Sequence, residues 1–260
     1  HVLKTRRSFT YDITEAFDKA ANAENQLSAQ VTPGWWGDKI VTPNHHSMWG
    51  TKCAFRSVLE LTYADGTKKL YGTNLENWKA GIAGPVKHSA IFDGEEYDAR
   101  EKMGYEVADK LSTPEQNKEF RGEILPSEGA EVYLRHDLEL KPVDAYIWKN
   151  VEGAKDGEAG KVIIDRKYKL GEKIVLKAGE NLVIDFGQNC AGVPSFVFKA
   201  TEGTTLTCLP GELLNDGNGA RSRGMDGPEG SVHRENLRTP ATAFLMKYTF
   251  GAGNKYVSYH

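Results

Sequence analysis

Residues 54–71, AFRSVLELTYADGTKKLY, decide the fold class. From Ala54 to Tyr63 apolar and polar side chains alternate, which is the period-two pattern of a half-buried strand. Ala64-Asp65-Gly66-Thr67 follows, and Lys69 to Tyr71 can then pair back. An Asp-Gly pair between two β-like runs predicts a hairpin, because both residues accept the positive φ angles of a tight reversal.

Outward from this hairpin the same grammar repeats. Strand-like runs lie at Leu27–Trp36 (interrupted by Pro33-Gly34), Val86–Phe92, Val132–Leu134, Ala145–Lys149 and Val162–Asp165. Further runs lie at Ile174–Leu176, Asn181–Phe186, Pro194–Ala200, Thr204–Leu209 and Ala243–Phe250, with a turn at Ala200–Thr204. Helical signals are confined to Thr14–Ala21 and Asp98–Tyr105. Many short strands with turn punctuation predict an all-β fold: two antiparallel β-sandwich (jelly-roll-like) domains with short helical turns. Asp109–Glu131 is polar, and Asn150–Lys161, rich in Lys, Glu and Gly, reads as a solvated hairpin tip. These features put the domain boundary near Lys141-Pro142, giving domains 1–141 and 142–260.

The bulk numbers agree. A chain of 260 residues with 39% hydrophobic and 27% charged residues is globular, and 27 glycines with 10% aromatics favour turns and strands. A formal charge of −3 lacks the basic field of a general nucleic-acid binder. No apolar run approaches the roughly 18–20 residues that span a bilayer, so neither nucleic acid nor membrane is expected as a partner. Cys53, Cys190 and Cys208 have no CxxC spacing and are expected to be buried free thiols. The chain opens on His1-Val2-Leu3-Lys4 and not on a signal peptide, which leaves open a signal already removed or one lying upstream of a fragment.

Two stretches carry more than generic β character. One is Trp78–Arg100, WKAGIAGPVKHSAIFDGEEYDAR; the other is Val183–Gly192, VIDFGQNCAG. Trp78–Arg100 resembles the amino-terminal β-domain of bacterial α-L-rhamnosidases (glycoside hydrolase family 78). Val183–Gly192 is similar to the Asp-Phe-Gly-Gln-Asn signature of the next β-domain in the same enzymes. Glu202-Gly203-Thr204, Gly211–Leu214 and Asp216-Gly217 follow in the family's order, and Arg7–Thr14, Gly34-Trp35-Trp36 and Ala64-Asp65-Gly66 match its first domain. Set against the family pattern, both ends of the chain look cut, and Arg221–Arg238 looks inserted.

The resemblance implies a parent enzyme that removes terminal α-L-rhamnose, with its catalytic carboxyl groups on a following α/α-toroid domain. Hydrolysis needs two carboxyl groups facing each other across the bond. No helical-repeat region exists in this sequence, so no catalytic residue is assigned. Asp93, Glu95, Glu96 and Asp98 are read as a turn and a strand entry, with Tyr97 packed inward and the glutamates in solvent or paired with Arg100. Asp185 is expected to bond backbone amides in the Gly187 turn.

Sugar recognition is the more serious chemistry. An aromatic platform covers the C–H face of a pyranose while polar groups bond its hydroxyls. Trp35–Trp49, WWGDKIVTPNHHSMW, offers Trp35, Trp36, Asp38, Asn44 and Trp49 as candidate carbohydrate contacts. The family's first β-domain resembles a carbohydrate-binding module that in some members uses calcium, and Asp38 and Asn44 would be its oxygen ligands here. No cofactor is otherwise required. The adjacent His45 and His46 point apart and make no zinc pair. In Arg221, Arg223, His233, Arg234 and Arg238 the positive charge is offset by Asp226, Glu229 and Glu235, so a solvated loop is expected.

The expected partners are therefore a rhamnose-containing glycan and the enzyme's own catalytic toroid. The expected location is periplasmic or extracellular, with the cytoplasm kept open. A stand-alone carbohydrate-binding module, or accessory domains of another polysaccharide-degrading enzyme, are the alternative readings.

Overall fold

The computed structural model of the chain describes residues 5–20, 22–39, 45–106, 122–129, 133–219, 227–235, 237, 244–253 and 257–259, with 105–106 and 257–259 by backbone only. It divides into two compact units, His1–Glu131 with Tyr248–Ala252, and Val132–Lys247 with Gly253–His260. The all-β expectation holds in both.

The first unit contains β1 (Thr5–Ser8), β2 (Val58–Thr62), β3 (Lys68–Gly72), β4 (Ala80–Ala83), β5 (Val86–Ala90), β6 (Gly94–Asp98), β7 (Gly104–Glu106) and β8 (Glu123–Pro126). The Asp-Gly hairpin forms as read: β2 pairs antiparallel with β3, placing Leu59 opposite Tyr71 and Leu61 opposite Lys69. Asp65 closes the turn by accepting from the Thr67 amide at 2.8 Å. A further hairpin joins β5 to β6, with Ala90 opposite Gly94, and Gly94 takes φ +85° at the reversal. The β4–β7 pair is antiparallel and the β1–β8 pair parallel. Tyr97 stacks on Tyr248 at 5.3 Å, and Tyr248 meets Phe250 edge-on at 5.2 Å. Tyr248 and Phe250 are buried, which puts the unit's apolar centre beside β6.

The second unit holds β9 (Asp144–Glu152), β10 (Lys161–Tyr168), β11 (Asn181–Asp185), β12 (Phe196–Phe198), β13 (Thr205–Cys208), β14 (Leu213–Leu214), β15 (Val232–His233), the start of β16 (Leu245–Thr249) and β17 (Val257–Tyr259). β9 is the central strand of a three-stranded antiparallel sheet, between β10 and β11. Its Ile147 is fully buried. Tyr146, Val162 and Val183, one from each strand, form the core cluster, with Trp148 and Val232 packed against it. The expected solvated tip between β9 and β10 is present and exposed, closed by a Lys155–Glu158 bridge.

Several local expectations are corrected. Thr14–Ala20 is a single turn and no helix, because Asp12 and Asp18 accept from the amides of Thr14 and Ala20 and hold the chain in side-chain turns that compete with helix. Asp98–Tyr105 is likewise not helical: β6 ends at Asp98 and β7 starts at Gly104. The one α-helical turn among the described residues lies at Gly34–Gly37, within the run read as a strand, and a 3-10 turn spans His136–Leu138. Ile174–Leu176 stays out of the sheets, flanked by turns that bond Glu172 to Lys169 and Glu180 to Lys177. Tyr133 and Leu134 lie in no strand, whereas Val132, most of Asp109–Glu131 and residues 243 and 221–226 fall outside the described residues. Cys53 and Cys190 are exposed and Cys208 is half-buried, so the expectation of buried thiols fails: all three sit in or beside short strands and loops too thin to cover them.

Replacing Ile147 with alanine is expected to lower the unfolding free energy of the second unit by about 2–5 kcal/mol, the usual range for emptying a fully buried aliphatic site. Denaturant unfolding followed by tryptophan fluorescence measures this; an unchanged midpoint would contradict a core centred on β9.

Candidate functional site

The candidate site is built on the helical turn Gly34–Gly37. Pro33 precedes it with φ −56°, and the Asp38 amide closes it on the Gly34 carbonyl. The two tryptophans on this turn are treated differently. Trp36 is half-buried: its indole N–H donates to the Lys52 carbonyl at 2.9 Å, and the Arg6 guanidinium lies 5.0 Å from its ring centroid. Its ring occupies the space that any Cβ at position 50 would need, so Gly50 is required there. Trp35, by contrast, is 46% exposed.

Trp35, Trp36 and Asp38 are thus brought together on one turn, with Asp38 half-buried. Trp49 is half-buried next to Gly50, against which the Trp36 ring packs. Asn44 lies outside the described residues. Among the described residues no group of three or more His, Cys, Asp or Glu comes together as a metal site, so side-chain carboxylates alone do not assemble a calcium cage around Asp38.

The residue that spacing did not reveal is Lys39. Its Nζ donates to both carboxylate oxygens of Asp93, at 2.8 and 2.7 Å, and His88 Nε2 lies 3.3 Å from Asp93 Oδ2. Burial pushes the Asp93 carboxyl up, but the Lys39 ammonium and the His88 ring outweigh it and leave Asp93 below its ordinary value. Lys39 and Asp93 are 54 residues apart, and no local pattern could have announced the pair.

The other motif acids are engaged locally. Arg100 donates to Asp98 with Nε at 2.9 Å and Nη2 at 2.7 Å, and its amide adds a third bond at 3.0 Å. The Arg100 guanidinium therefore holds the Asp98 carboxyl down at about 2. Asp185 accepts from the Gly187 amide at 2.7 Å, as expected, and Gly187 takes φ +77°. Gln188 and Asn189 of the same motif are exposed.

Two polar assemblies lie in the second unit. Glu152, Glu158, Lys161, Asp216, Asn218 and Glu229 line an open cleft of about 510 Å³. Lys161 pairs with Glu229 at 2.7 Å, and Asp216 accepts from the Asn218 amide at 3.0 Å. This cleft has hydroxyl-bonding groups but no aromatic ring in its lining, so it lacks the platform of a sugar site. The other assembly corrects the reading of a solvated loop at His233 and Arg234. His233 is buried on β15, its Nδ1 2.7 Å from Asn215 Oδ1; Asn215 donates to Ser231 Oγ at 2.8 Å, and Arg234 donates to the Phe244 carbonyl. β14 and β15 pair with Leu213 opposite His233; His233, Asn215 and Ser231 are buried while Leu213 stays exposed. Arg221, Arg223 and Arg238 lie outside the described residues.

Comparison with known proteins gives the same family for both halves. Residues 3–125 match the alpha-L-rhamnosidase N-terminal domain, and residues 175–257 match the bacterial alpha-L-rhamnosidase concanavalin-like domain. An alpha-L-rhamnosidase of Alteromonas sp. (strain LOR) is 29% identical over 248 residues, 95% of this chain and 23% of that protein. One of Formosa agariphila is 23% identical over 237 residues, 91% of this chain and 21% of that protein. The crystal structure of a Streptomyces avermitilis alpha-L-rhamnosidase complexed with L-rhamnose shares the fold, with TM-score 0.57 and 20% identity, over 99% of this chain and 21% of that one. The chain thus spans about a fifth of the length of the relatives it matches.

The Asp98 carboxyl is expected to titrate at about 2 by NMR, and Arg100→Gln to return it towards the ordinary carboxylate range. A lowered folded-state value makes its contribution to stability complete above the unfolded value near pH 4, and lost as pH falls through about 2. An ordinary Asp98 titration in the unmodified chain would dissolve the ion pair.

Proposed function

This chain belongs to the bacterial α-L-rhamnosidase family, and from that premise we propose that it is the non-catalytic β-domain portion of such an enzyme. Its role is to support a separate catalytic domain of α/α-toroid type and to hold a rhamnose-containing glycan at the Trp35 turn. The observation that carries this reading is the pairing of two rhamnosidase β-domain matches with coverage of only about a fifth of each relative.

The chemistry of the motif acids supports it. Glycoside hydrolysis needs one protonated and one ionised carboxyl group facing the bond. Asp93, Asp98 and Asp185 are occupied instead by Lys39 and His88, by Arg100 and by the Gly187 amide.

Within the proposed glycan contact, Trp35 supplies the stacking face. Asp38, Asn44 and Trp49 are its neighbours in sequence, and Trp36 serves as the wall that fixes the turn. Calcium enters this reading through Asp38 and Asn44, with backbone carbonyls, water and sugar hydroxyls taking the other positions. A glycan-degrading role belongs in the periplasm or outside the cell.

Calorimetric titration with L-rhamnose, with and without calcium, is expected to give heat that Trp35→Ala abolishes. Silence under both conditions would remove the glycan contact. An aryl α-L-rhamnoside incubated with the chain is expected to release no phenol above background; turnover would place catalysis in these domains and overturn the non-catalytic reading.

A further inference from the structure

We infer that Asp93, in the first of the two family motifs, is the positioning residue of the tryptophan turn, acting through Lys39. The inference rests on the reading of Trp35 as a glycan platform and adds what holds that platform in place.

Beside the Arg6–Trp36 contact, hydrogen bonds fasten the turn at several points. The Trp36 indole N–H bonds the Lys52 carbonyl, the Ser47 hydroxyl donates to the Gly37 carbonyl at 3.1 Å, and Lys39 bonds both oxygens of Asp93. The first two tie the turn to the chain that follows it closely. The third ties it to the β5–β6 hairpin, whose Ala90 and Gly94 are buried and face each other across the strands. Asp93 sits in the reversal of that hairpin, so its carboxylate transmits the position of a paired, buried element to a turn that has no sheet partner of its own.

The pair is also better shielded than the Lys68–Glu60 pair of the β2–β3 hairpin. The Lys39 and Asp93 side chains are 25% and 17% exposed, against 60% and 48% for Lys68 and Glu60. Exposed pairs contribute little and hold nothing in place. A shielded pair is costly to break one-sidedly, because the charge left behind is poorly hydrated. His88 at the same carboxylate, from within β5, ties the reversal back to its own strand. Between Asp38, which closes the turn, and Trp35, which offers its face outward, there is then little freedom left to lose when a ligand stacks. Affinity gained in this way comes from preorganisation.

Asp93→Asn keeps the shape of the side chain and removes its charge; Lys39→Met removes the other partner. Each is expected to shift the Trp35 indole N–H resonance, identified by its loss in Trp35→Phe, and to weaken L-rhamnose binding severalfold with the far-ultraviolet circular dichroism unchanged. Asp65→Asn, the same charge change in the β2–β3 turn, is expected to do neither. An unmoved Trp35 resonance with unaltered affinity in both Asp93→Asn and Lys39→Met would overturn the positioning role. An unmodified chain that binds no rhamnose would sink the glycan reading alone, since the Trp35 resonance still decides whether Asp93 holds the turn.

Discussion

A backbone amide two residues beyond an acidic or amide side chain is the group on which these sheets depend. Short strands must reverse often, and each reversal leaves an N–H with no ladder partner. Asp12, Asp18, Asp65, Asn74, Asp98, Asp185 and Asp216 each accept from the amide at i+2, at distances between 2.7 and 3.0 Å. The same bond recurs in both units and within both family motifs. It explains why motifs rich in carboxylates encode chain direction, and why their acids are poor candidates for moving protons.

Asp93 is used differently. Its carboxylate leaves its own turn and takes Lys39 and His88. Reversal at this point relies on Gly94, whose positive φ carries the bend. The carboxylate is thereby available for a long-range contact, and the turn bearing Trp35 and Trp36 is what it reaches. The two sequence features that looked separate, a motif and an aromatic loop, meet in one ion pair within the first unit.

Among the described residues, packing is thin. The buried apolar ones are Ala90, Tyr248 and Phe250 in the first unit and Ala145, Tyr146, Ile147, Val162 and Val183 in the second. Apart from β9 and β10, the strands have five residues or fewer and bring few side chains to any one face, so aromatic rings take on much of the burial, as the Tyr97–Tyr248–Phe250 stack does.

The sequence by itself determined what depends on neighbours along the chain. The all-β class, the Asp65-Gly66 hairpin, the exposed tip between β9 and β10 and the Asp185 turn all follow from period-two alternation and from side chains bonding their own backbone. Helical turns were misplaced because Asp12 and Asp18 favour local turns as strongly as Ala and Glu favour helix. Only tertiary structure decided what depends on groups distant in sequence. It turned His233 inward against Asn215, separated exposed Trp35 from half-buried Trp36, and set Lys39 against Asp93. Such choices rest on which surfaces the fold removes from water, and that quantity has no period to read along a chain.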